Sequence, residues 1–187
     1  MTRLFQIAAC GSCLIVLLLV SCTNDATGPS GDGVNLISNS SFESDGKQSL
    51  ATWYVNDSST VTFSKDTPSQ GGNWSLELRP GWIPSEGYVR TILPIGTGSQ
   101  ALQLTLWARI VGQEMIGTFG LGTIRNGEFI SSRVGNVNSY GWTQYTMIDT
   151  IAVRVGDSLA VKLSAGLAEL ARPSSVLFDL IRVEKMR

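Results

Sequence analysis

The sequence contains no histidine. That excludes Ser-His-Asp and Cys-His catalytic triads and every histidine-ligated zinc site. Catalysis would have to rest on carboxylates, lysine, arginine or tyrosine. Cysteine is scarce as well: Cys10, Cys13 and Cys22 are the only ones. All lie near the N-terminus, so no disulfide framework ties the rest of the chain together. Neither sign of charge dominates, with 14 basic against 15 acidic residues and a net charge of −1. No basic stripe is present, which argues against nucleic acid as a partner. Helical periodicity is almost absent. Only Ala165–Ala171 hints at it, through Leu167 and Leu170, and a helical turn inside a loop is expected there. No apolar run reaches the roughly 20 residues that a membrane-spanning helix needs.

What is present begins with Arg3 and a short apolar run, Cys13–Val20. A basic start followed by a short apolar centre is the layout of a secretory signal. The sequence Leu19-Val20-Ser21-Cys22 resembles the bacterial lipobox. That resemblance implies that residues 1–21 are removed and that Cys22 is acylated, becoming a membrane anchor. Cys10 and Cys13 would then leave with the signal, which rules out a Cys-x-x-Cys metal site. Several acyl chains on one cysteine hold firmly, since each buried methylene contributes about 0.8 kcal/mol. Thr23, rather than Asp, follows Cys22. By resemblance to enterobacterial sorting, this favours the outer membrane or cell surface over the inner membrane. Residues 22–34 are rich in Gly, Ser, Thr, Pro and Asp and lack hydrophobic period, so a flexible tether is expected.

From Asn35 to Arg187 the pattern changes to short runs alternating with a period of two, the mark of half-buried strands. The runs are Thr52–Val55, Val61–Phe63, Ser75–Arg79, Gly87–Leu93, Ala101–Val111, Gly117–Arg125, Trp142–Ile151, Ser158–Ser164 and Val176–Val183. Gly- and Pro-containing turns separate them, and Asn126-Gly127 is a hairpin signal. The expected fold is all-β, a β-sandwich or jelly roll forming a single domain over 35–187. In Ala101–Val111, Leu102, Leu104, Leu106, Ala108 and Ile110 make one face, expected in the core. Gln103, Thr105, Trp107, Arg109 and Val111 make the other, which suits solvent or a ligand.

Several segments carry a family resemblance. Asn35-Leu36-Ile37-Ser38-Asn39-Ser40-Ser41-Phe42-Glu43 resembles the N-L-I-x-N-x-x-F-E opening of the galactose-binding-like jelly rolls, above all the CenC-type carbohydrate-binding modules (families 4, 9 and 22). Trp53 follows at the family's place. Gly72–Leu78, Leu104–Arg109, Gly141–Thr146 and Phe178–Val183 resemble its later strands, in the family's order. One position departs: Leu180 stands where the closing motif carries a second Asp.

The resemblance implies a structural calcium between the first and last strands. Its ligands would be the carboxylates of Glu43 and Asp179 and carbonyls at Ser41 and Asn73. Calcium takes six to eight oxygens. The alternative is that Glu43 caps a turn and Asp179 pairs with an arginine.

The resemblance also implies a sugar site, on a concave sheet face or on the loops at one edge. Sugars offer both apolar and hydroxyl surfaces, so a ring with polar neighbours suits them. Trp107 with Gln103 and Arg109 provides this on one strand. Tyr88 and Arg90 alternate on another and are expected to face the same way, as are Glu77 and Arg79. Trp82 lies in a Pro-Gly-Trp-Ile-Pro loop poised for contact, or plugs one end of the sandwich. Trp53 and Trp142 are expected in the core or beneath a loop. Arg90, Arg109 and Glu77 suit ion pairs on a solvated face equally well.

The reading is therefore an exported, membrane-anchored lipoprotein. Its non-catalytic module binds a polysaccharide or cell-surface glycan by stacking sugars on aromatic rings. A structural or adhesion lipoprotein contacting protein partners is the alternative. A small glycoside hydrolase or polysaccharide lyase ranks third, because paired carboxylates across a cleft are not evident.

Overall fold

The computed structural model describes residues 33–80, 86–112, 115–167 and 174–187. The expected secretion signal, Cys22, nearly all of the expected tether and Trp82 lie outside these residues. Among the described residues no helix is long and apolar enough to cross a membrane.

In chain order the strands are β1 (Glu43–Ser44), β2 (Lys47–Gln48), β3 (Trp53–Val55), β4 (Val61–Ser64), β5 (Ser75–Leu78) and β6 (Gly87–Ile92). They continue with β7 (Gly98–Val111), β8 (Met115–Arg125), β9 (Glu128–Val137), β10 (Thr143–Val153), β11 (Ser158–Leu167) and β12 (Ser175–Lys185). β1 and β2 form a small separate hairpin. The others form two antiparallel five-stranded sheets. Sheet I has the order β10-β7-β12-β5-β4, and sheet II has the order β3-β6-β11-β8-β9. The fold is an all-β sandwich.

The core lies between the sheets, and strand periodicity dictates it. On β7, Leu102, Leu104, Leu106, Ala108 and Ile110 are buried, while the residues between them are not. Sheet II answers with Val89, Leu121, Leu159, Val161 and Leu163. Burying a side chain of this size contributes about 1.5–3 kcal/mol. Trp53 joins this core, packed 5.1 Å from Phe42 and donating from Nε1 to the Asn39 carbonyl at 2.9 Å.

The opening segment completes sheet I. β12 pairs with β5 only at Val176–Phe178. Beyond that, residues 35–40 take the vacant edge: Leu36 N donates to Val183 O and Ile181 N to Ser40 O, each at 2.8 Å. Asn35 fixes the entry, since its Oδ1 accepts from Ile37 N and Val183 N and its Nδ2 donates to Ile181 O. The first residue of the opening motif is thus a clamp on the last strand.

Two local expectations are corrected. Ala165–Leu167 continue β11 rather than starting a helical turn, because Ala165 and Gly166 pair with Gly117 and Ile116 across the sheet; the rest of that expected turn, residues 168–171, lies outside the described residues. β9 is an additional strand, closed by the Asn126-Gly127 turn, whose two residues both have positive φ. Its neighbour β8 is unusual in placing Gly120 and Gly122 on the outer side. A Cβ on Gly120 would meet the Arg133 carbonyl at 2.9 Å, and one on Gly122 the Ser131 Cα at 2.9 Å. Only glycine lets the two strands approach this closely where a bulge interrupts their register between Leu121 and Gly122.

Candidate functional site

The residues singled out for sugar contact do not share one face. Gln103, Trp107 and Arg109 leave the outer side of β7 in sheet I, and Tyr88 and Arg90 leave the outer side of β6 in sheet II. The whole core separates the two groups. The expectation that they face the same way is therefore corrected; Glu77, on β5, does share sheet I with Trp107. Alternation fixes which residues of a strand share a side, and it does not say which sheet that strand joins.

On sheet I the outer face is largely committed to internal contacts. Residues 65–74 run against it. Asp66 accepts from Arg109 Nη1 through Oδ2 and from Trp142 Nε1 through Oδ1, both at 2.8 Å. Trp107 stands between Gln144 and Asp179 in the register. Gln103 Nε2 donates to Thr105 Oγ1 at 3.3 Å. Glu77 pairs with Arg79. Trp74 lies under the Lys65 ammonium, 3.5 Å from the ring centroid.

The same segment brings the four residues of the expected metal site into one neighbourhood. Asp179 is fully buried, and its Oδ2 has no hydrogen-bond partner. Its Oδ1 accepts from Leu180 N at 2.7 Å, with Leu180 held at φ 51°. A Cβ on Gly71 would lie 2.5 Å from Asp179 Oδ2, and one on Gly72 would strike the Glu43 carboxylate. Glu43 Oε1 accepts from Trp74 N at 2.6 Å, which places Asn73 beside it. Ser41 adjoins Ser40, whose carbonyl is bonded to β12. Burial, with Glu43 nearby, pushes the Asp179 carboxyl up to about 7, against the pull of the Leu180 N–H. Among the described residues Asp179 pairs with no arginine, whereas Glu43, in accepting from Trp74 N, does hold a turn. Among the described residues no three acidic or cysteine side chains converge, so a cation here would need carbonyls or water as well.

Sheet II carries the open face. Tyr54 on β3, Arg90 on β6, Lys162 on β11, Gly120 on β8 and Val134 on β9 lie in one row across it. Tyr88 is next to Arg90 along β6, with Ser164 and Thr118 beyond it. Tyr54 and Tyr88 are tilted rings 6.4 Å apart. Each has a cation over it: Arg90 sits 4.6 Å from the Tyr54 centroid and Lys162 4.4 Å from that of Tyr88. Lys162 also pairs with Glu86.

Asn56 holds the start of β6. Its Oδ1 accepts from Tyr88 N at 2.7 Å and its Nδ2 donates to Glu86 O at 2.9 Å.

Two clefts open on this face. One, of about 260 Å³, is bounded by Glu86, Lys162, Phe129, Val134, Ser164 and Thr118. The other, of about 420 Å³, is bounded by Thr52, Tyr54, Arg90, Ile92 and Ile124. Rings, aliphatic walls and a few donors in neighbouring clefts of one face suit a ligand with both apolar and hydroxyl surfaces.

Comparison with solved structures places this architecture. The xylan-binding domain CBM22-1 of Paenibacillus barcinonensis Xyn10C superposes with a TM-score of 0.58 at 18% identity, over 86% of this chain and 98% of that one. The module TmCBM61, in complex with β-1,4-galactotriose, gives 0.55 at 17% identity, over 81% and 99%. The fold is a jelly roll like that of these modules. The same jelly roll occurs within larger proteins. The enzymatically active domain of bacteriophage CBA120 tailspike protein 4 matches with a TM-score of 0.56 at 13% identity, and there the chain covers only 22% of its partner. No family model and no curated protein sequence matches the chain.

Of the residues expected at a sugar site, Tyr88 and Arg90 stand on the open face. Tyr54, Lys162, Glu86 and Phe129 were not anticipated there. Their signal was modest: Leu159, Val161 and Leu163 point inward, so Lys162 must point outward.

Proposed function

We propose that the chain is an exported lipoprotein whose jelly roll binds a polysaccharide or cell-surface glycan on the outer face of sheet II, without chemistry of its own. The observation that carries this reading is the pair of clefts on one face, one bounded by Tyr54 and Arg90 and the other by Lys162 and Phe129, with the Tyr88 ring stacked under Lys162 beside them. Sugar rings would stack on the tyrosines while the cations and hydroxyls bind sugar oxygens. The likeness of the fold to a xylan-binding domain and to a module holding a galactotriose supports it. Glu86 is the single acid bounding the clefts among the described residues, and it is paired with Lys162. Hydrolysis of a glycoside needs two carboxylates across the bond, so binding alone is the better reading.

The anchor reading rests on Cys22 and the lipobox resemblance, with the outer membrane or cell surface as the destination. A C22S variant should leave the membrane fraction and appear as soluble exported protein.

Calcium fits beside the opening and closing strands. Asp179 and Glu43 would supply carboxylate oxygens, and Ser41 and Asn73 would add carbonyls. The buried, unpartnered Oδ2 of Asp179 is the strongest argument. The ion would supply charge neutralisation and hold the two ends of the domain together.

The test is a glycan screen on the full-length chain in detergent, in calcium and in chelator. Binding to one glycan class supports the reading. Absence of binding by folded protein would transfer it to a protein-contacting lipoprotein.

A further inference from the structure

Arg90 and Lys162 stand directly opposite each other on β6 and β11. Directly opposed residues of an antiparallel pair have Cβ atoms about 5 Å apart, and like charges placed so destabilise the sheet. A single ion pair offsets part of the conflict and, among the described residues, leaves Arg90 without a counter-charge. Glu86 pairs with Lys162 alone, from a side chain that is 44% exposed. Glu128, at the base of the neighbouring hairpin, makes no ion pair with either cation among the described residues.

Among the described residues the contacts of Arg90 are all neutral. Its Nη1 donates to the Gly127 carbonyl at 2.8 Å, and its guanidinium lies over Tyr54. Those contacts fix the position of the group without neutralising it. A guanidinium has five N–H donors in a planar fork that matches a carboxylate, and the Gly127 bond uses one nitrogen. The cleft beside it is bounded by Ile92, Ile124, Thr52 and Tyr54. Apolar walls reduce screening and strengthen the pull of the charge on an anion. Lys162 is held similarly, between the rings of Tyr88 and Phe129, with centroid distances of 4.4 and 5.9 Å.

From this arrangement we infer that the face is selective for an acidic polysaccharide. A uronate carboxylate would lie between Arg90 and Lys162, and neighbouring sugar rings against Tyr54 and Tyr88. The inference rests on the reading of this face as a glycan surface and adds the chemical class of the glycan.

The experiment is calorimetric titration of the full-length chain in detergent. The titrants are polygalacturonate, the same polymer fully methyl-esterified, and neutral β-1,4-galactan and xylan, each at low and high salt. The expected result is binding to polygalacturonate that weakens with salt and falls at least about tenfold on esterification, the scale of one charge-assisted bond. K162Q and R90Q should each lose binding to a similar degree while the protein stays folded. Because Arg90 also holds the Gly127 turn, E86Q provides a second probe: it frees Lys162 and should tighten polygalacturonate binding. Equal affinity for the acidic and esterified polymers, or tight binding of a neutral glycan alone, overturns the acidic preference and leaves the glycan surface standing. Binding to none of the four by folded protein overturns the glycan surface itself.

Discussion

Asp179 and Glu43, 136 positions apart in the chain (179 − 43), close on the two adjacent glycines Gly71 and Gly72. Three distant segments thereby meet at one buried carboxylate with an unpartnered oxygen. Its burial raises the Asp179 pKa to about 7, so in the absence of a cation the folded state holds a proton that the unfolded chain releases. That contribution to stability is complete below about pH 4, the ordinary Asp value, and is lost as pH rises through about 7. In chelator the melting temperature should decline over this window. Calcium should abolish the decline by taking the place of the proton. Asp157, lowered chiefly by its hydrogen bonds from Arg125, acts with the opposite sign. The clean comparison is therefore with D179N, whose melting temperature should show neither the decline nor the response to calcium.

The glycines themselves should tolerate no side chain. In G71A the new methyl meets Asp179 Oδ2 and the Pro68 ring, and in G72A it meets Glu43. Overpacking of this kind destabilises by about 1–3 kcal/mol. Thermal or urea unfolding of each variant checks it, and both should also weaken any stabilisation by calcium.

Asn35 satisfies two backbone N–H groups and one carbonyl around the end of β12. In N35A two donors and an acceptor lose their partner in a half-buried setting. The expected loss is about 1–3 kcal/mol, read from the urea midpoint, with the circular-dichroism spectrum of the folded state unchanged. N35D retains the acceptor oxygens and should fall between the two.

The two outer faces should separate cleanly in binding. Y54A and Y88A remove the rings of the sheet II face and should each weaken glycan binding by up to about tenfold, as loss of a ring contact worth about 0.5–1.5 kcal/mol implies. W107A, on the far side of the core, should leave binding unchanged and lower stability instead. A titration of the three variants against one glycan checks both statements.

The strands of the core were legible because an inward Leu or Val at every second position leaves little choice in Ala101–Val111 or Ser158–Ser164. β9 was less so. It is an edge strand whose Ser131, Ser132 and Arg133 are exposed and whose Gly135, against the Phe119 ring, has no side chain, so its alternation carries no apolar signal. The nearness of Glu43 and Asp179 was reached through family resemblance, since nothing local in either segment refers to the other. The open face was illegible for a physical reason. It is assembled from Tyr54, Arg90, Lys162, Gly120 and Val134, one residue from each of five strands, and the register between strands far apart in sequence is set by packing alone. Trp107 and Tyr88 sit in equally amphipathic strands, and only sheet membership separates them.

The pairing of residues 35–40 with β12 also has a mechanical consequence. The chain enters the domain at Gly33, whose carbonyl accepts from Arg182, and then runs antiparallel to the strand that lies third in sheet I. If the domain is anchored as proposed, a pull at Gly33 along this direction loads the bonds at Leu36, Ser40 and Asn35 together, in shear, instead of peeling them apart in turn. The force then passes into β12 and through the packed interior to sheet II. A weight held on the outer face of sheet II would hang from the whole core, with no single edge strand bearing it.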